Sequence, residues 1–154
     1  MIIQYRNIYD EIVSSQQTSM LERYVEVHMD SNTQLKKIEN KFLNGILVFI
    51  KYYIETSENE VDKINELKAN CSSFSLVSRE AYNSYIIENV KEFRDDTMLF
   101  KLRYLVDSMD NKICWEELDI PTNQPLYGNT EKFLSLTLAQ IAFLVLRLDY
   151  FLLF

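Results

Sequence analysis

Only two glycines and two prolines stand in a chain of 154 residues, and that scarcity constrains the fold more than any other feature of the sequence. Sandwiches and barrels reverse direction many times, and their tight turns favour glycine for positive φ and proline for a fixed one. A chain with so few of either is expected to avoid such folds. It is also expected to lack a loop that cradles phosphate with repeated glycines. Disorder is excluded too, because 47% of the residues are hydrophobic and 13% aromatic. A chain of this length can bury roughly two-thirds of its unfolded surface. These constraints favour an all-α fold, and the apolar spacing agrees.

Ile2, Ile3, Tyr5, Ile8, Tyr9, Ile12 and Val13 recur every three or four residues and read as one face of a first helix. Met20, Leu21, Tyr24, Val25 and His28 repeat the pattern, although Val25, Val27 and Met29 alternating with Glu26 and His28 also fit a short half-buried strand. From Thr33 to Glu55, Leu35, Ile38, Phe42, Ile46, Phe49, Ile50 and Tyr53 form one stripe of a long amphipathic helix. Gly45 sits in its middle at a cost of about 1 kcal/mol against alanine. Ser57-Glu58-Asn59-Glu60 has the form of a capping box ahead of a short helix with Val61, Ile64 and Leu67. Cys71 to Ser78 reads as a polar connector whose Phe74, Leu76 and Val77 tuck against the core. Ser78 and Asp95-Asp96-Thr97 read as caps of two further helices. Asp119 to Thr130 holds both prolines and one glycine and reads as the longest loop.

The stretch Phe133 to Phe154 is long enough to cross a bilayer. Arg147 and Asp149 interrupt it, leaving 14 uncharged residues before the first charge, and each charge deep in a membrane costs roughly 2.5–3.5 kcal/mol. No basic cluster flanks it. The segment therefore reads as a buried apolar core helix, with a membrane anchor as the alternative. No repeat, low-complexity tract or linker divides the chain. The expected architecture is a single domain, residues 1–154, folded as a helical bundle of six to eight helices.

The sequence excludes more catalytic chemistry than it offers. His28 is the only histidine, so any site needing two imidazoles is ruled out, and its setting between Val27 and Met29 is that of a partly buried structural residue. GxxxxGKS/T, GxGxxG, HExxH, GxSxG and EF-hand patterns are all absent. Cys71 and Cys114 lack the paired spacing of zinc or redox sites and read as reduced, buried thiols of a cytoplasmic protein. No metal, cofactor or enzymatic activity is expected. No export signal is expected, since MIIQYRNIYDEIV has neither a basic run followed by an uninterrupted apolar stretch nor a small-residue cleavage site.

The charge is informative. Sixteen basic residues stand against 23 acidic ones, a net of −7 with a pI near 4.8, which disfavours nucleic acid as a partner. Residues 55–66 carry Glu55, Glu58, Glu60, Asp62 and Glu66 against Lys63, and residues 107–119 carry Asp107, Asp110, Glu116, Glu117 and Asp119 against Lys112. Each segment is net −4, so the other 129 residues together are net +1. Acids also gather at helix N-termini and on solvated faces for ordinary reasons. The second segment, however, contains Trp115, the only tryptophan, and the loop behind it offers Tyr127. An aromatic ring rimmed by carboxylates is the composition of a hot spot for a basic protein, although Trp115 also fits a core position.

Three functional classes are compatible with these residues. The narrowest is a small acidic inhibitor, an immunity protein or antitoxin that occludes the basic cleft of a toxic enzyme such as a nuclease. It would be a monomer or weak dimer. The alternatives are a helical adaptor or assembly subunit that docks through its C-terminal helix, and a small-ligand carrier or enzyme with a pocket among the aromatics.

Overall fold

A computed structural model describes residues 1–128, and the expected core helix at Phe133 to Phe154 lies outside the described residues. The helical bundle is contradicted. The described chain is mostly β, with ten strands in one mixed sheet and a single α-helix among the described residues. The strands are β1 (Ile2–Arg6), β2 (Ile12–Val13), β3 (Arg23–Met29), β4 (Lys36–Leu43), β5 (Ile46–Ile54), β6 (Ser73–Tyr82), β7 (Tyr85–Arg94), β8 (Thr97–Val106), β9 (Lys112–Leu118) and β10 (Pro125–Gly128). Helix α1 (Glu60–Asn70) lies between β5 and β6. Hydrogen-bonded neighbours run in the order β10-β9-β8-β7-β6-β5-β4-β3-β1-β2.

The expectation failed because asparagine, aspartate and glutamine take the left-handed positions assumed to need glycine. Asp10, Gln34, Asn44, Asn83, Asp95, Asp110 and Asn123 all have φ between 48° and 67°, and Asn and Asp tolerate that region better than other side chains. Asn44-Gly45, Asn83-Ser84 and Asp95-Asp96 each join two strands in two residues. The supposed long helix at 33–55 is therefore the hairpin β4–β5. Both of its turn residues have positive φ, 48° and 75°, the requirement of a type I′ turn.

Longer loops use side-chain oxygens, in two designs that each occur twice. In Asn7–Glu11 and Asp107–Asn111 the first side chain accepts two amides: Tyr9 and Glu11 at 2.9 and 3.0 Å, Met109 and Asn111 at 2.8 and 2.9 Å. Each loop closes with a backbone bond of 3.0 Å from its first amide to its last carbonyl. In Asp30–Leu35 and Asp119–Gln124 the first carboxylate accepts from the amide and hydroxyl of the threonine three residues on. These are Asx-type loops, in which a side chain replaces the absent glycine.

One part of the helical reading stands. Helix α1 forms where Val61, Ile64 and Leu67 placed it, but its cap is Asn59, which accepts from the Val61 and Asp62 amides at 2.9 and 3.1 Å. The helix is required by topology: β5 and β6 are parallel, and parallel neighbours need a crossover longer than a hairpin turn. The polar connector Cys71 to Ser78 belongs mostly to β6, where Phe74, Ser75, Leu76 and Val77 are all buried. The alternative strand reading at 25–29 is the one adopted, as β3.

The described chain divides into two compact units, one of Met1–Arg79 with Val90–Phe100, the other of Glu80–Asn89 with residues 101–128. In the first, Leu67 and Cys71 close over Ile50, Phe74, Leu76 and Phe93, with the Phe74 and Phe93 rings stacked at 5.0 Å. Burying a side chain of this kind stabilises the fold by about 1.5–3 kcal/mol. Glu39 accepts from the Tyr53 hydroxyl at 2.5 Å and lies 3.7 and 4.0 Å from Lys36 and Lys51. Burial pushes its carboxyl up, but Lys51 and the Tyr53 hydroxyl outweigh that and hold it below the usual range. In the second unit, Leu105 and Cys114 are packed by Tyr82, Tyr85 and Ile87. Both cysteines are buried and free. His28, partly buried, meets Glu26 at 2.6 Å.

Candidate protein-binding face

Strand β9 alternates strictly. Cys114, Glu116 and Leu118 are buried, whereas Ile113, Trp115 and Glu117 are not. Antiparallel partners share a face, and the register pairs Trp115 with Tyr104 and Glu117 with Leu102 on β8, then Glu117 with Tyr127 on β10. Trp115, Glu117, Tyr127 and Tyr104 therefore occupy one face of a three-stranded platform. Trp115 is 41% exposed and Tyr127 63%, so the tryptophan presents its ring at the surface. Lys112 sits 3.7 Å above the Tyr104 ring, a cation–π contact. Gly128, at φ 112°, pairs with Glu116. A Cβ there would fall 2.6 Å from the Glu116 Cα, so this glycine is required where β10 lies close on β9.

The remaining acids of the second segment are engaged elsewhere. Glu116 is fully buried and ion-paired with Arg103 across the strand pair, on the opposite face from Trp115. Asp107 anchors its loop, and the Asn111 side chain and amide hold its carboxyl below the usual range. Asp110 is the left-handed residue of that loop. Asp119 is bonded to Thr122 by amide and hydroxyl, at 3.0 and 2.6 Å. Of the seven residues expected to form this patch, the structure brings Trp115, Glu117 and Tyr127 together on one face.

The acids at 58–66 lie in the other unit, around the start of α1. Glu58 accepts from the Tyr52 hydroxyl at 2.7 Å and faces Lys63 at 3.5 Å. Glu60 pairs with Lys91 at 2.5 Å and Glu66 with Lys63 at 2.7 Å. The Glu66 bond first, with the Tyr52 contact, holds the Lys63 ammonium above its usual range. Asp62 sits in the first turn of α1, where a negative charge favours the helix dipole. Lysines thus offset much of this segment's charge. Tyr104 and Lys112 were missed by the helical reading. The signal for them is the alternation in KLRYLV and KICWEEL, at the period of strands facing each other.

Among the described residues no three His, Cys, Asp or Glu side chains converge as a metal site, and no helix is long and apolar enough to cross a membrane. No protein-family model, curated protein or solved structure matches the chain.

Proposed function

We propose that the chain acts by binding a cationic protein through the face carrying Trp115, Glu117 and Tyr127, and that its narrowest form is an immunity protein or antitoxin covering the basic cleft of a toxic enzyme. The observation that carries this reading is the 41% exposure of Trp115 on a regular strand beside Glu117 and the exposed Tyr127. Tryptophan and tyrosine are the residues most enriched where interfaces concentrate their energy. A net charge of −7 steers a basic partner toward the surface and quickens its association. Such a protein needs no catalytic group of its own.

The experiment is an affinity capture from native lysate at low and high salt, repeated with Trp115→Ala and Glu117→Lys. A basic enzyme retained at low salt, depleted at high salt and lost with either variant supports the reading. Retention by wild type and both variants alike would sink it.

A further inference from the structure

Strands β1 and β4 finish at the end of the first unit's sheet where β2, β3 and β5 begin. The loop Asn7–Glu11, the segment leading into β3 and the Asn44-Gly45 turn therefore lie together. Asn7, Ile8, Tyr9, Leu21, Glu22 and Arg23 line one hollow, and the Asn44 amide donates to the Glu22 carbonyl at 2.7 Å. In or beside these loops stand Ile8, Tyr9, Ile12, Met20 and Ile46, each 66–85% exposed.

Register sets the width of this apolar end. Ile12 pairs with Arg6 and Arg6 with Val25, while Arg23 pairs with Leu43 and Leu43 with Ile46. Ile12 and Ile46 thus share one face, four strand spacings or about 19 Å apart. The loops are fixed frames: Asn7 holds the one carrying Ile8 and Tyr9, and Met20 ends a 3₁₀ turn, Gln17–Met20, closed by the Leu21 amide on the Thr18 carbonyl at 3.1 Å. Apolar groups already held in place lose little freedom on docking.

The charges among them select the occupant. Arg6, Arg23 and Lys41 are matched by Asp10, Glu11 and Glu22, so this end is neutral in a chain that is net −7. It offers no excess of acid to a cationic protein and no excess of base to an anionic lipid surface. A second copy meets a surface matched to its own. Glu22 and Arg23 lie 3.7 Å apart and about two-thirds exposed, placed to exchange partners across a two-fold axis. Covering the five apolar side chains removes about 500 Å² per copy from water, the larger part of the roughly 800 Å² per partner of a standard interface.

We propose that this end of the sheet joins two copies of the chain in a two-fold dimer. The contact is separate from the Trp115 face and stands or falls independently of it.

Sedimentation velocity of the full chain over a range of concentrations, at low and high salt, tests the proposal. The expected result is a concentration-dependent dimer that does not weaken as salt rises, because a neutral contact joins copies that otherwise repel. Ile8→Glu with Ile46→Glu should raise the dissociation constant at least a hundredfold with the circular dichroism spectrum unchanged, and Met20→Ser about tenfold. Trp115→Ala should leave the dimer intact. A wild-type protein that stays monomeric overturns the proposal whether or not the variants fold, and flotation of that monomer with phosphatidylcholine vesicles would assign the apolar end to a lipid surface instead. A dimer that survives in the folded variants, or that Trp115→Ala abolishes, overturns it as well.

Discussion

Replacing Gly45 by alanine gives opposite results in a helix and in a hairpin. In an exposed helix interior, alanine is favoured over glycine by about 1 kcal/mol, so the substitution would stabilise the protein. In the hairpin Gly45 has φ 75°, and an L-residue held in the left-handed region costs roughly 1–2 kcal/mol. Steric crowding adds nothing, because a Cβ built at this position meets no atom within 4 Å. The expected effect is therefore backbone strain alone, a loss of about 1–2 kcal/mol. Urea unfolding followed by far-ultraviolet circular dichroism reads it directly. With m near 2 kcal/mol/M, the midpoint should fall by roughly 0.5–1 M with m unchanged. Gly45→Asn should lose less, because Asn tolerates the same region, as Asn44 does beside it at φ 48°. A midpoint that stays put or rises in Gly45→Ala would refute the turn argument.

Three further outcomes follow from the geometry. Arg103→Met strands the fully buried Glu116 carboxylate and should destabilise by about 3–5 kcal/mol, with much of the loss recovered when Glu116→Leu is added; chemical denaturation of both variants checks it. Trp115 is 41% exposed, so Trp115→Ala should cost about 1–2 kcal/mol for the covered part of the ring while weakening capture of the cationic partner, and a loss of about 3–5 kcal/mol would mark the ring as core. The Asp30 and Asp107 carboxyls are held below the ordinary aspartate range in the folded chain, Asp30 chiefly through the Thr33 and Asn32 amides and Asp107 chiefly through Asn111. The folded state thus binds these protons less readily than the unfolded one. Their contribution is present above the ordinary carboxylate range and is lost as pH falls through the folded values. Thermal melts between pH 5 and about pH 2 should therefore show a decline that Asp107→Asn flattens, because the amide keeps its acceptor and does not titrate, as Asn7 illustrates in the matching loop.

The sequence held both fold periods, and glycine scarcity weighted the reading toward the wrong one. In Thr33 to Glu55 the helical stripe is real as spacing, but it arises because two strands of a hairpin each expose apolar residues to packed faces. Asn44-Gly45 between β-branched and aromatic runs was the readable hairpin signal, and the same holds for the short turns at Asn83 and Asp95. Helix α1 was legible because its apolar positions fit only one period and an Asx cap precedes it. Of the candidate site, the aromatic and acidic composition was legible, but its arrangement was not. Strand register decides that Glu117 faces outward beside Trp115 while Glu116, one residue away, is buried on Arg103. No property of a charged residue read singly carries that distinction, because a shift of one position moves every side chain to the other face.

The paired loops at Asn7 and Asp107, and at Asp30 and Asp119, tie surface potential to chain reversal. In residues 107–119, three of the five acids hold a loop together or supply its left-handed residue, and a fourth is buried. Replacing any of the loop carboxylates disturbs a reversal of the backbone as well as the surface charge. At the outward positions of β9 and β10, residues 115, 117 and 127, a side chain can change without the loops having to move.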